Sequence, residues 1–241
     1  MIVSLLKESI EKNLWLVVDG YHFDEDYHNQ IKSTNTRLMV LDDIGHLNFY
    51  NTDILLNQNL YAENIKYSFK NGAIPLLGKK YILLRKEFIK INNFRKISSV
   101  NKILITMGGS DGRGITSLII DAFSKINSKR YELLIVLGPL YKKKNNFNNL
   151  SNKNLHEIKI FDCVEDMSDI MANVDFAISA AGSTCYELGY MGIPMALVSV
   201  SKNQIAGLNS FVNFGVAINL GWHKDLQVNK VSRILKKTFN N

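Results

Sequence analysis

Cysteine, proline and long apolar runs are the scarce features of this 241-residue chain. Two cysteines, Cys163 and Cys185, make no disulfide framework and stand in no metal-ligand spacing, so both are expected to be buried, reduced thiols. No apolar run approaches the ~18 residues that a membrane-spanning helix needs. The opening MIVSLLKESIEKN carries acidic residues at helical spacing, unlike the apolar block and cleavage site of a signal peptide. A cytoplasmic protein is the expectation. The five histidines are scattered, and none pairs with another histidine, cysteine or carboxylate at a metal-binding interval.

Only 3 prolines and an apolar content of 46% describe an ordered α/β chain, long enough for one large core or two small ones. The net charge of +7 admits nucleic acid, an anionic surface or an anionic small molecule as partner. Its densest cluster, Lys142-Lys143-Lys144, lies in an Asn-rich stretch with no interleaved aromatics and reads as solvated surface. No nucleic-acid partner is expected.

In chain order, a helix over Ile2–Ile10 precedes the strand LWLVVD, a helix over Asp24–Ile31, the strand RLMVLDD, the strand TDILLNQN and short strands within Ala73–Leu84. Their polar ends, Asp19-Gly20-Tyr21-His22, Asp42-Asp43 and Asn57-Gln58-Asn59, fall where open parallel sheets bind ligands. His22 and His46 lie near strand ends and so rank above the other histidines. Tyr21 is either a core aromatic or a phenol that positions water or sugar. Asp42 and Asp43 are either a general-base pair or two turn formers splayed toward solvent.

Ile91–Val100 is polar and aperiodic, which places a boundary there and divides the chain into 1–97 and 98–241. The second part alternates cleanly: NKILITM, a glycine turn, a helix over Ile115–Ile126, RYELLIVLG, a short helix within Lys142–Leu150, LHEIKIF and a helix from Val164 to Ala172. VDFAIS, a second glycine turn, another helix, PMALVS, a helix over Asn203–Phe214, VAINL and a closing helix over Asp225–Phe239 follow. Such alternation means a parallel sheet with right-handed crossovers.

Two turns carry the chemistry. Met107-Gly108-Gly109-Ser110-Asp111-Gly112 lies between a strand and a helix, as a phosphate cradle does, although it matches neither GxGxxG nor the Walker pattern. The alternative is a tight connection with Asp111 as helix cap. In the second, Ala180-Ala181-Gly182 gives close backbone approach, and Ser183 or Thr184 caps a helix whose N–H groups favour phosphate. Glu187 either closes a capping box over Thr184–Glu187 or, on the same face as Ser183, accepts hydrogen bonds from ribose hydroxyls. Asn203 and Gln204 open the next helix, either as ordinary caps or as amides facing a base edge or sugar hydroxyl.

The succession VVDGY, LDDIGH, DILLNQNLY, LLGKKYILLRKEF, MGGSDGRG and SAAGSTCYELGYMGIP followed by Asn203-Gln204 resembles the UDP-2,4-diacetamido-2,4,6-trideoxy-β-L-altropyranose hydrolases of pseudaminic acid biosynthesis. More broadly it is similar to the spore-coat-polysaccharide type of that superfamily. The resemblance runs in order over nearly the whole chain. It implies a GT-B-like α/β architecture, two Rossmann-like domains facing across a cleft with the second holding UDP. It implies a UDP-sugar partner, no cofactor and no metal, and attack of water at the anomeric carbon. It assigns Gly108, Gly109, Ser110, Asp111, Gly182, Ser183 and Thr184 to the diphosphate, Glu187, Asn203 and Gln204 to the nucleoside, and Tyr21 to the reacting sugar, with Ala181 also among the substrate-binding residues. The family opens with a strand and a GxGHxxR-like turn whose histidine serves as base; these 241 residues contain no such segment, so an incomplete first domain is expected. A GT-B glycosyltransferase and a non-catalytic UDP-sugar binding module are the alternatives.

Overall fold

Apolar residues alternate or run continuously through each predicted strand, and the computed structural model forms a strand at every one of them. It describes residues 4–6, 13–91, 96–141 and 155–239. The first helix therefore appears as Ser4–Leu6 alone, and the short helix within 142–150 lies outside the described residues. Two units result, Met1–Leu83 and Leu84–Asn241. The sequence puts the boundary after residue 97; helix α2 (Lys86–Ile89) groups instead with the second unit, where it packs on α4 (Met167–Met171).

In the first unit, β1 (Trp15–Asp19), β2 (Arg37–Leu41), β3 (Ile54–Asn57) and β4 (Ile74–Leu77) form a sheet in that order, with every pair parallel. Strand periodicity turns Val18, Leu38, Val40 and Leu55 toward one core, completed by Ile31 and Tyr50. Ile31 comes from α1 (Glu25–Lys32). That helix starts where the Asp24 carboxylate accepts the Tyr27 N–H at 2.8 Å, with Glu25 and Asp26 in its first turn and Lys32 in its last. Cap and charges both suit the helix dipole.

The second unit has the strand order β10-β9-β8-β5-β6-β7, again all parallel. Its strands are β5 (Lys102–Thr106), β6 (Glu132–Leu137), β7 (Glu157–Asp162), β8 (Phe176–Ala180), β9 (Met195–Ser199) and β10 (Ala217–Trp222). Every residue of β8 and β9 is buried, as expected of central parallel strands covered on both faces. The helices α3 (Ile115–Phe123), α5 (Thr184–Tyr190), α6 (Gln204–Asn213) and α7 (Val228–Phe239) complete the unit. Ile119 and Phe123 of α3 share a core with Val231 and Leu235 of α7 and with Ile103, Ile135 and Ile178 of the sheet. Among the described residues no helix is long and apolar enough to cross a membrane.

One expectation fails here. Cys185 is buried, and burial pushes its thiol up to about 12, but Cys163 is exposed. It follows β7, the outermost strand of the sheet, whose carboxyl end turns into solvent.

His28 of α1 is fully buried, and neither ring nitrogen has a hydrogen-bond partner. Burial, then the nearby His46, lower its pKa from 6.5, while Asp24 and Glu25 act in the opposite sense. The folded chain thus binds this proton less readily than the unfolded chain. Stability from neutral His28 is fully present above the unfolded value of 6.5 and drains away as pH falls through and below it. Urea unfolding followed from about pH 7 to about pH 5 should show the midpoint of the native chain falling more steeply than that of His28→Leu.

Candidate functional site

Strands β5 and β8 pair side by side, Thr106 opposite Ser179, yet the chain leaves them in opposite directions: β6 and β7 lie beyond β5, β9 and β10 beyond β8. Right-handed crossovers then send the two following helices to opposite faces of the sheet. The loops after β5 and β8 are left adjacent at the carboxyl ends with a crevice between them, the usual place for a ligand in an open α/β sheet. Both sequence-predicted turns emerge at this point.

The first turn crosses from the buried Met107 through exposed Gly108, Gly109 and Ser110. Gly108 has φ +73°, a value that suits glycine. A methyl group at Gly108 or Gly109 would meet no protein atom within 4 Å apart from its chain neighbours, so the outer side of the turn is open backbone. Its underside is the reverse. A Cβ on Gly138, the residue after β6, would lie 2.3 Å from the Gly108 carbonyl oxygen and 2.4 Å from that of Gly109. The Leu140 N–H also donates to the Gly109 carbonyl at 2.9 Å. Gly138 is thus the floor of the turn, and sequence reasoning missed it because a glycine after a strand looks ordinary.

Asp111 takes the capping role. It adopts φ +38°, and its carboxylate accepts the Ile115 and Thr116 N–H groups, each at 2.9 Å. The start of α3 is therefore already satisfied by a carboxylate of its own chain.

In the second turn, Ala181 is buried and donates its N–H to Val198 at 2.9 Å, while Gly182 donates to Ala180 at 2.8 Å. Ser183 is exposed, and its side chain makes no capping bond to α5, so the serine-capped helix end expected from sequence is not formed. Its backbone has already entered helical dihedrals, φ −59° and ψ −31°, which differ from the extended conformation that capping serines adopt. Gln204 reaches this turn: a Cβ on Gly182 would sit 3.7 Å from its Nε2, and its Oε1 accepts the Val200 N–H at 2.9 Å. Asn203 likewise makes no side-chain cap on α6; its Oδ1 accepts from Ser201 Oγ. The fold brings Gly182, Ser183, Thr184 and Gln204 together at the end of β8, beside Gly108, Gly109 and Ser110 at the end of β5.

Glu187 lies one turn into α5, only 7% exposed. The Arg85 guanidinium holds both of its oxygens, Nε to Oε1 at 2.6 Å and Nη2 to Oε2 at 3.0 Å. Its role is thus set by a residue 102 positions away, in the stretch LLGKKYILLRKEF, to which the sequence assigned no site residue.

At the carboxyl edge of the first sheet the polar strand ends gather too. Asp42 is buried and accepts from Gly45 N–H, His46 Nδ1, Tyr50 hydroxyl and Tyr67 hydroxyl. Burial raises its pKa, but the hydrogen bonds from Gly45, Tyr67, Tyr50 and His46 outweigh it and leave the carboxyl below the ordinary range. Asp43 turns the other way, to the Tyr21 hydroxyl at 2.8 Å and Asn59 Nδ2 at 2.9 Å. Tyr21 is half exposed, with its ring edge-on to His46 at 5.6 Å. Burial, helped by Asp43 and Tyr21, pushes the neighbouring Tyr61 up to about 12. The His22 ring lies tilted against Phe23, with 4.0 Å between ring centroids.

The tight floor under the first turn has a measurable consequence. Gly138→Ala forces backbone apart at the end of β6 and should cost roughly 2–3 kcal/mol, read as a lowered urea or thermal midpoint.

The same architecture occurs in known proteins. The crystal structure of Acinetobacter baumannii MurG superposes with a TM-score of 0.65 at 12% identity, covering 98% of this chain and 67% of that one. The spinosyn rhamnosyltransferase SpnG, solved with thymidine diphosphate, gives 0.62 at 12% identity over 94% of this chain and 65% of that one. Both units therefore have a GT-B-like fold.

Among sequences, a Helicobacter pylori protein is 29% identical over 89% of this chain and 39% of its own length; it is named pseudaminic acid cytidylyltransferase and UDP-2,4-diacetamido-2,4,6-trideoxy-beta-L-altropyranose hydrolase. An uncharacterised Methanocaldococcus jannaschii protein is 28% identical over 78% of this chain and 41% of its own. The chain spans about two fifths of the length of these relatives. Residues 103–241, more than half of the chain and all but the first residue of the sheet that carries the paired turns, match the glycosyltransferase family 28 C-terminal domain, and the chain belongs to that family.

Proposed function

We propose that the second unit binds the UDP moiety of a nucleotide sugar at the β5/β8 crevice, and that the protein hydrolyses UDP-2,4-diacetamido-2,4,6-trideoxy-β-L-altrose to the free sugar and UDP. The observation that carries this reading is the juxtaposition of two turns on neighbouring parallel strands, with open backbone at Gly108 and Gly109. The family match and the Helicobacter pylori relative support it.

Backbone N–H groups of Gly108 to Ser110 and of Ser183 and Thr184 face the diphosphate and stabilise charge as it leaves the anomeric carbon, while Gly182, whose N–H is taken by Ala180, gives close backbone approach. Asp111 contributes by shaping the first turn, since its carboxylate is spent on α3. Glu187, Asn203 and Gln204 serve the nucleoside. In the first unit, Tyr21 and its partner Asp43 offer a phenol and a carboxylate to the sugar or its attacking water.

A second reading is transfer of the sugar to an acceptor, favoured by the family's glycosyltransferase description and by the rhamnosyltransferase among the structural neighbours. UDP release from the UDP-sugar without acceptor supports hydrolysis. Release that requires an added acceptor supports transfer, and tight UDP binding with no turnover under either condition leaves a binding module.

Gly109 tests the cradle itself. It has no positive φ and nothing near its Cβ position, so Gly109→Ala should change stability by less than about 0.5 kcal/mol. A ligand against that backbone would lose at least about tenfold in affinity, because the methyl group displaces it. Calorimetric titration with UDP reads the effect; an unchanged Kd removes the turn from the site.

A further inference from the structure

We propose that Arg85 is the positioning residue of the nucleoside pocket: it holds the Glu187 carboxylate in one plane, so that two acceptor positions remain for the vicinal hydroxyls of a ribose. The inference rests on the UDP reading above and adds to it the choice between ribo- and deoxyribonucleotides.

Four consecutive residues of α5, Cys185 to Leu188, are buried all round the helix, and Glu187 is the charged member of that set. A carboxylate among apolar neighbours needs compensation. Arg85 supplies it through the geometry with the tightest orientational control, two parallel N–H···O bonds to the two oxygens of one carboxylate. Each carboxylate oxygen has two acceptor positions. Arg85 uses one on each, leaving the others at a set spacing and in a set plane, an arrangement that suits two neighbouring hydroxyls.

Arg85 is itself held. Its Nη1 lies 3.1 Å from Glu87, and its guanidinium carbon sits 5.2 Å from the ring centroid of Phe88, a fully buried side chain of α2. Stacked and paired in this way, it loses little freedom when it grips Glu187. Its hydrogen bond to Glu187 is the main reason its pKa lies above the ordinary arginine value. Lysine could supply the charge but not the fork.

The test compares UDP, 2′-deoxy-UDP and inorganic pyrophosphate by calorimetry on the native chain and on Arg85→Met, Arg85→Lys and Glu187→Gln, with thermal melts of each. The native chain should prefer UDP over 2′-deoxy-UDP by roughly tenfold or more, the effect of one hydrogen bond to a charged acceptor. Arg85→Met and Glu187→Gln should reduce that preference to about twofold or less while keeping pyrophosphate affinity. Arg85→Lys should fold as the native chain does and still lose most of the preference; it carries the test if Arg85→Met fails to fold.

A preference kept in both Arg85 variants overturns the proposal. So does a parallel loss of pyrophosphate affinity, which would make Arg85 a phosphate ligand. If the native chain binds UDP but ignores the 2′-hydroxyl, this inference falls and the UDP site stands. If it does not bind UDP at all, the reading beneath it falls as well.

Discussion

The parallel pairing of β5 with β8 is the constraint from which the rest of the second unit follows. These strands are 70 or more residues apart in sequence, yet Ile103 to Thr106 run in register against Phe176 to Ser179. Because the chain departs from them in opposite directions, two strand-to-helix turns must open side by side. Every residue of β8 and β9 is buried, so a shift by one residue would have to repack both faces of these strands at once. What the turns contribute is local. Their being neighbours is a property of the sheet.

The acidic residues at this crevice would repel a diphosphate if they were left to themselves, and the structure answers each from within. Asp111 spends its charge on the two N–H groups at the start of α3, and Glu187 spends its own on Arg85. An anionic ligand approaching the crevice therefore meets carboxylates already partnered by fixed dipoles or a cation. Binding need not desolvate or reorganise them, which is the condition under which backbone donors are most effective. One expectation has to be redrawn in consequence: the helix start after the first turn is occupied by Asp111, and the donors left for a ligand are in the turn itself.

The strand-turn-helix pattern around Gly108 and Gly182 was legible in the sequence because every signal it needs lies within about ten residues: an apolar run, small residues and a return to helical periodicity. The same holds for the alternation of strands and helices and hence for the fold class. Arg85 falls within a stretch that the resemblance included, LLGKKYILLRKEF, but its pairing with Glu187 was not legible, since that is a partner across the fold and not a neighbour in the chain. Gly138 was hidden for a different reason. Its requirement is set by the Gly108 and Gly109 carbonyls pressing on it, and nothing in the sequence around it records that pressure. The capping box at Thr184–Glu187 was legible but misleading, because a short-range pattern competed with a long-range ion pair and the ion pair won.

Asp42 and Asp43 show why adjacency in sequence says little about chemistry. They are consecutive residues just past β2, where the chain turns, so their side chains diverge, and the surroundings then decide their fates. Asp42 enters a pocket where Gly45, His46, Tyr50 and Tyr67 all donate to it; burial, helped by the hydrogen bond to Asp42 and by its charge, pushes the Tyr50 and Tyr67 hydroxyls well above the ordinary phenol range. Four donors on one buried carboxylate leave it no capacity to exchange partners with a ligand, so Asp42 is an organiser of the first unit's edge. Asp43 is bound by Tyr21 and Asn59, with Tyr21 half exposed. A hydrogen bond between a carboxylate and an accessible phenol can be exchanged for one to a sugar hydroxyl or a water at little net cost. Of the two aspartates, the second thus keeps a partner that it can exchange, and the first, held by four donors, does not.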